Sequence, residues 1–299
     1  MSDQADRLRK LVRETVKQHP SLAPGVPLVV VSGGKGGVGV STVATELVYE
    51  LAALGKRAIL VDANPLQPDI ATRMGFDVRG CLADVLDGSR SATEVLQPLG
   101  DSVQMLPGRW AADEPPEMNR TSIKRLLDEL RSLHKQADIV VLDAGSGMSP
   151  WVQQLWKSAQ QVLLVSTDES VAVMDSYATV KLSPWGDADG KLRLLVNQCN
   201  DQNTSKTVGQ RFEATCRRFL GMRVLPAINV AQRPDIVDAI AKNENTNADR
   251  EFRQSLRLLA AEVMSTSLVH ASRPSEGKRL LNDSAIDQSV SEKTLQKSK

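Results

Sequence analysis

Residues 28–42 read Leu28-Val29-Val30-Val31-Ser32-Gly33-Gly34-Lys35-Gly36-Gly37-Val38-Gly39-Val40-Ser41-Thr42. The apolar, β-branched run 28–31 predicts a buried strand, and the apolar periodicity of residues 41–54 predicts a helix directly after the glycines. Glycines between a strand and a helix let the backbone turn tightly and aim successive N–H groups at one anion, to which the following helix presents its positive end. The usual phosphate loop closes with Gly-Lys-Ser/Thr, the lysine on the β- and γ-phosphates and the hydroxyl on magnesium. Here Ser41 supplies the hydroxyl, but Val40 stands where the lysine belongs. A competing reading keeps the segment as a glycine turn with no ligand.

Outward from this loop, short apolar runs recur at 58–61, 103–106, 139–142, 162–165 and 192–196, with helix-length segments such as 41–54 and 122–133 between them. Strands alternating with helices predict an α/β fold: a three-layer P-loop arrangement, its mostly parallel sheet covered by helices on both faces and its ligands at the carboxyl ends of the strands. A last helical pattern, Phe252, Leu256, Leu259 and Val263, is placed against the core. One domain is expected over 28–270. Ahead of it lie a short amphipathic helix at 1–18, carried by Ala5, Leu8, Val12 and Val16, and a Pro-rich linker at 19–27. The polar segment 271–299 reads as a disordered tail.

The 299 residues are 41% hydrophobic and 24% charged, enough for one large core. A formal net charge of +1 supplies no bulk attraction to polyphosphate, so binding to nucleic acid is not expected. Cys81, Cys199 and Cys216 form no C-x-x-C pair and have no histidine cluster beside them, which argues against zinc and disulfides and for a reduced, cytoplasmic setting. No apolar run approaches the ~18 residues that a membrane span requires.

The motif Lys35-Gly36-Gly37-Val38-Gly39 resembles the deviant Walker A loop of the MinD/ParA family of P-loop ATPases. That resemblance implies ATP and Mg²⁺ as cofactors, with Gly34, Lys35, Gly36, Gly37, Val38, Gly39, Val40, Ser41 and Thr42 around the phosphates. It also implies a homodimer in which Lys35 reaches the partner's nucleotide. The segment Asp62-Ala63-Asn64 is similar to the family's switch I, Asp-x-Asp, whose second aspartate activates the attacking water; Asn64 now holds that place. An amide can orient water but cannot accept its proton, and losing a general base typically costs ~10² to 10⁴ in rate. Strand 139–142 ends in Asp143-Ala144-Gly145 and resembles Walker B with switch II, which makes Asp143, with Ser41 and Asp62, a candidate for the magnesium shell. An aspartate in that place also serves as a helix cap. Asn197 matches the family's adenine-recognising asparagine, although a turn-forming asparagine fits the position too. With Val40 and Asn64 both departing from the pattern, nucleotide binding is expected to be weakened and hydrolysis slow or absent.

Within the family the chain is similar to the FlhG branch, also called YlxH or FleN, which controls flagellar number and placement. The resemblance rests on Asp143-Ala144-Gly145-Ser146-Gly147-Met148-Ser149-Pro150, on Thr167-Asp168-Glu169-Ser170 and on Asp175-Ser176-Tyr177-Ala178-Thr179-Val180-Lys181. At the front, Asp3-Gln4-Ala5-Asp6-Arg7-Leu8-Arg9 resembles the branch's N-terminal motif, which implies a partner-binding role for Asp3, Gln4, Leu8 and Arg9. The partner so implied is a GTPase of the FlhF type, which the motif activates, or a flagellar basal-body component. The basic amphipathic membrane helix that usually ends such chains has no counterpart here. Beyond Val263, Leu280, Leu281, Ile286 and Leu295 are scattered among polar residues, which argues against membrane association. A second function weighed is a working ATPase that positions cargo through ATP-dependent dimers. Iron–sulfur carriers related to the family are disfavoured by the missing bridging cysteines.

Overall fold

In the computed structural model, residues 25–108, 118–183, 190–232 and 247–271 are described. The strands are β1 Leu28–Gly33, β2 Ala58–Asp62, β3 Gln97–Pro98, β4 Val103–Leu106, β5 Ile139–Ser146, β6 Gln161–Ser166, β7 Leu192–Asn197 and β8 Leu225–Val230. They form one sheet in the order β3-β4-β2-β5-β1-β6-β7-β8, parallel throughout except for the short β3, which runs antiparallel to β4. The phosphate-loop strand β1 is thus central, hydrogen-bonded to β5 on one side and β6 on the other.

A parallel strand covered on both faces reads as an unbroken apolar run, because each face has a helical layer to bury against. In β1, Val30 joins Ile59, Leu142 and Leu164 in one cluster, while Val29 and Val31 join Leu60 and Val141 in the other. The period-two alternation of a pleated strand divides the residues between two cores. Helices α1 (Val40–Ala53), α2 (Ile70–Arg73), α3 (Leu82–Asp87) and α4 (Ala92–Val95) precede α5 (Arg120–Ser132) and α6 (Pro150–Ser158). Then come α7 (Ser170–Leu182), α8 (Gln202–Leu220) and α9 (Asn247–Ala271). The first core is covered by α5, α6 and α8 through Leu126, Leu130, Trp151, Leu155 and Phe212. The second is covered by α1 and α9: Phe252, Leu256, Leu259 and Val263, the periodic set of the last helix, are all buried against it.

The expected α/β class and the six predicted strands are all present, β1 and β5 running on to Gly33 and Ser146. The helix expected over 41–54 spans Val40–Ala53, and the one over 122–133 spans Arg120–Ser132. Strand β8 was not anticipated. It carries Pro226 and Asn229, sits at the sheet edge and is only partly buried, so its sequence lacks the apolar continuity of the central strands. The N-terminal helix at 1–18, most of the linker at 19–27 and the tail beyond Ala271 lie outside the described residues. Among the described residues no helix is long and apolar enough to cross a membrane.

Candidate functional site

The glycines of the loop after β1 answer different steric demands. A β-carbon at Gly34 would collide with the backbone of Asp175 and Ser176, so this glycine lets α7 lie directly against the loop. Gly39, the N-cap of α1, has φ 91°, and a β-carbon there would collide with the Asn197 amide. Gly37, at φ 83°, has nothing near its absent β-carbon and faces open space. Gly34→Ala is therefore expected to destabilise the protein by about 1–3 kcal/mol, the range for overpacking a well-filled contact. Gly37→Ala should show only the smaller backbone cost of its left-handed conformation. Thermal melts of the two variants check the contrast, and equal losses would refute the assigned contact with α7.

Around the loop lies a cavity of about 330 Å³, bounded by Lys35, Gly36, Gly37, Gly39, Val40, Ser41 and Thr42 on the α1 side. Asn64, Gln67, Arg73, Gly145, Ser146 and Gln198 complete its lining. Seven of the nine sequence-predicted phosphate residues thus line one space, while Gly34, packed against α7, and the buried Val38 are not among its lining residues. Val40, at the first position of α1, is buried and belongs to the same apolar cluster as Val38; its methyl lies close above Gly33. It brings no charge to the cavity. Lys35 pairs with Glu169 at 3.6 Å, both side chains well exposed, so the pair holds the lysine only weakly.

Beneath the loop, β2 and β5 place Asp62 and Asp143 in register at their carboxyl ends, both fully buried. Asp62 Oδ2 accepts from the Ile70 amide at 3.1 Å, and Asp143 Oδ1 from the Gly145 amide at 2.9 Å. The other two oxygens, Asp62 Oδ1 and Asp143 Oδ2, are buried without a hydrogen-bond partner. Burial, then the charge of Asp143, push the Asp62 carboxyl up to about 8, against the pull of the Ile70 and Asn64 amides. Burial also raises Asp143, partly offset by the Ser41 hydroxyl and the Gly145 amide. Two adjacent carboxylates with orphaned oxygens, next to a hydroxyl, are a set of hard donors that suits Mg²⁺. No group of three or more His, Cys, Asp or Glu residues suited to a metal occurs among the described residues, so such an ion would complete its shell with water and phosphate oxygens.

Asn64 occupies the cavity wall, but its oxygen is engaged locally, accepting from the amides of Leu66 at 3.1 Å and Gln67 at 3.3 Å. This Asx turn fixes the loop after β2. A β-carbon on Gly145, which has φ 67°, would overlap Asn64, so the loop after β2 touches the carboxyl end of β5. Trp151 on α6 joins the same junction, its indole N–H donating to the Ala63 carbonyl at 2.8 Å. Asn197 is buried, and its amide donates to the Val38 carbonyl at 2.8 Å; in this arrangement it braces the loop from behind.

Sequence reading did not single out Gln67, Arg73, Ser146 or Gln198 as cavity residues. Gln198, at φ 60°, is the one non-glycine with positive φ among the described residues, a backbone conformation that sequence does not reveal. Asp3, Gln4, Leu8 and Arg9 lie outside the described residues.

A family described as "Cellulose biosynthesis protein BcsQ" matches residues 26–228. The chain belongs to this family, within the MinD/ParA proteins. This BcsQ-family chain is 28% identical over 205 residues to the antiactivator FleN of Pseudomonas aeruginosa, covering 69% of its own length and 73% of FleN. It is 23% identical over 185 residues to the flagellum site-determining protein YlxH of Helicobacter pylori, covering 61% of itself and 63% of YlxH. Its fold is similar to that of the septum site-determining protein MinD of Pyrococcus horikoshii, solved with Mg-ADP. The TM-score is 0.62 at 18% identity, over 83% of this chain and 100% of that one. The BcsQ-family loop thus sits in the fold expected of it, with the two departures, Val40 and Asn64, both at the cavity wall.

Proposed function

We propose that the chain is an FlhG-like regulator of flagellar number or placement, acting in the cytoplasm by binding a protein partner, with a P-loop cavity that takes Mg-ATP weakly and hydrolyses it slowly or not at all. The carrying observation is a cavity that keeps loop glycines and the Ser41 hydroxyl, with the buried carboxylates Asp62 and Asp143 each holding an unpartnered oxygen close by, while Val40 brings no charge and Asn64 is tied into its own turn. Ligand capacity is retained where catalytic capacity is reduced, which suits a sensor or a platform better than a turnover enzyme. The similarity to FleN and YlxH directs the reading toward flagella.

The proposed partner is a GTPase of the FlhF type, engaged by Asp3, Gln4, Leu8 and Arg9, with Gln4 orienting water at the partner's nucleotide. Mixed with such a GTPase, the full chain is expected to accelerate GTP hydrolysis, and Gln4→Ala to return it toward the unstimulated rate, a loss on the order of 10²-fold for a misplaced reacting group. Stimulation unchanged by Gln4→Ala would refute the activator role and direct the search for a partner to cellulose biosynthesis, from which the matched family takes its description.

A second reading, a cargo-positioning ATPase working through ATP-dependent homodimers, is favoured by Lys35, which is retained at the cavity and half-exposed. Rapid magnesium-dependent phosphate release together with ATP-dependent dimerisation would decide for it.

A further inference from the structure

We propose that Arg73 supplies the phosphate-facing positive charge that Val40 no longer provides. The inference rests on the reading that the cavity accepts Mg-ATP, and assigns a ligand-binding role to a residue outside the Gly-rich loop.

Two cationic side chains border the cavity among the described residues, Lys35 and Arg73. Lys35 lies on the loop and is drawn toward Glu169 at the edge of α7. Arg73 ends α2 and lines the same cavity as Val40 and Ser41, so its charge reaches that cavity from outside the Gly-rich loop. Its backbone is tied to the cation site, since α2 begins at Ile70, whose amide donates to Asp62. A guanidinium stays charged at any physiological pH, and its planar fork matches two phosphate oxygens as it matches a carboxylate.

At present that fork grips Asp69: Nε donates to Oδ2 at 2.8 Å and NH2 lies 2.7 Å from the same oxygen. The Arg73 side chain is 62% exposed, so the i,i+4 pair is a surface contact of little strength that a polyphosphate can displace. Asp69 then serves as a parking place that keeps the guanidinium beside the cavity.

The test is calorimetric titration of the full chain with Mg-ATP, using the natural protein, Arg73→Ala, Arg73→Lys, Val40→Lys and the double variant Val40→Lys/Arg73→Ala. Loss of a charge-assisted phosphate contact should weaken binding about ten- to a hundred-fold in Arg73→Ala, with Arg73→Lys recovering part of it. The thermal midpoint should stay unchanged, as the side chain is exposed. With lysine at position 40, the Arg73→Ala loss should largely disappear, because the two charges serve the same phosphates. Binding by the natural protein with Arg73→Ala within about twofold of it, the ordinary scatter of independent substitutions, would overturn the role of Arg73 alone. A loss equally large in the Val40→Lys background would overturn it as well, by placing the arginine's effect elsewhere. No binding by the natural protein at millimolar Mg-ATP would overturn both Arg73 and the nucleotide reading beneath it.

Discussion

Val40→Lys is expected to tighten Mg-ATP binding about ten- to a hundred-fold, the affinity equivalent of one charge-assisted hydrogen bond to phosphate worth roughly 1.5–3 kcal/mol. Every other part of the cradle is in place: position 40 opens α1, Ser41 stands beside Asp143, and the loop glycines leave the backbone room around the cavity. The substitution has a local cost, because Val40 is buried against Val38 and Gly33. A lysine stem can cover much of the same apolar surface while its ammonium reaches the cavity, so stability should fall by no more than about 1 kcal/mol while affinity rises. Calorimetric titration and a thermal melt read the two effects separately. Unchanged affinity would mean that the loop never meets phosphate and serves only as a glycine turn. Turnover is a different matter, since binding without a proton acceptor leaves the attacking water inactive. Phosphate release should therefore stay low in Val40→Lys and rise by on the order of 10² when Asn64→Asp is added. That aspartate must exchange the Asx turn with Leu66 and Gln67 for a water, which is why Asn64→Asp alone should change little.

The legible part of the sequence was the part governed by local rules. The β1 run and its glycines announced a phosphate loop, and the alternation of apolar runs with helices announced the parallel sheet, because burial on both faces writes an unbroken apolar signature into each central strand. Val40 and Asn64 were legible for a different reason: a motif with fixed spacing shows what is missing. What depended on the chain returning from far away was not legible. Asn197 could be marked as a site residue, but its bond to the Val38 carbonyl joins positions 159 apart in sequence. Arg73 belongs to a four-residue helix too short to show periodicity, and nothing in its neighbours marks it as a cavity residue. Gly34 could be read as a phosphate-loop glycine, yet the structure gives it a second duty, the close approach of α7, which no local pattern records.

Asp62→Asn is expected to stabilise the metal-free protein at alkaline pH and to remove its response to Mg²⁺. Asp62 and Asp143 lie side by side, neither of them in an ion pair among the described residues, and burial with the Asp143 charge raises the Asp62 carboxyl from 3.8 to about 8. A group raised in this way binds a proton in the folded state that the unfolded chain has already released, so folding stability falls as pH climbs between those values. The pair is harmless below about pH 4 and fully destabilising above about pH 8. Asparagine keeps an oxygen for the Ile70 amide and carries no charge, so it should flatten this slope. The gain above pH 8 should be a few kcal/mol, or roughly 5–10 °C in melting temperature for a domain of this size. The unpartnered oxygens of Asp62 and Asp143 would hold Mg²⁺ once the pair is ionised, which would offset the same repulsion by another route, so added MgCl₂ should raise the natural midpoint most at high pH. In Asp62→Asn that increment should vanish together with magnesium-dependent nucleotide affinity. Melts from pH 5 to 9 with and without MgCl₂ measure all of this. A variant whose pH profile and magnesium response both follow those of the natural protein would show that these two carboxylates do not form the cation site.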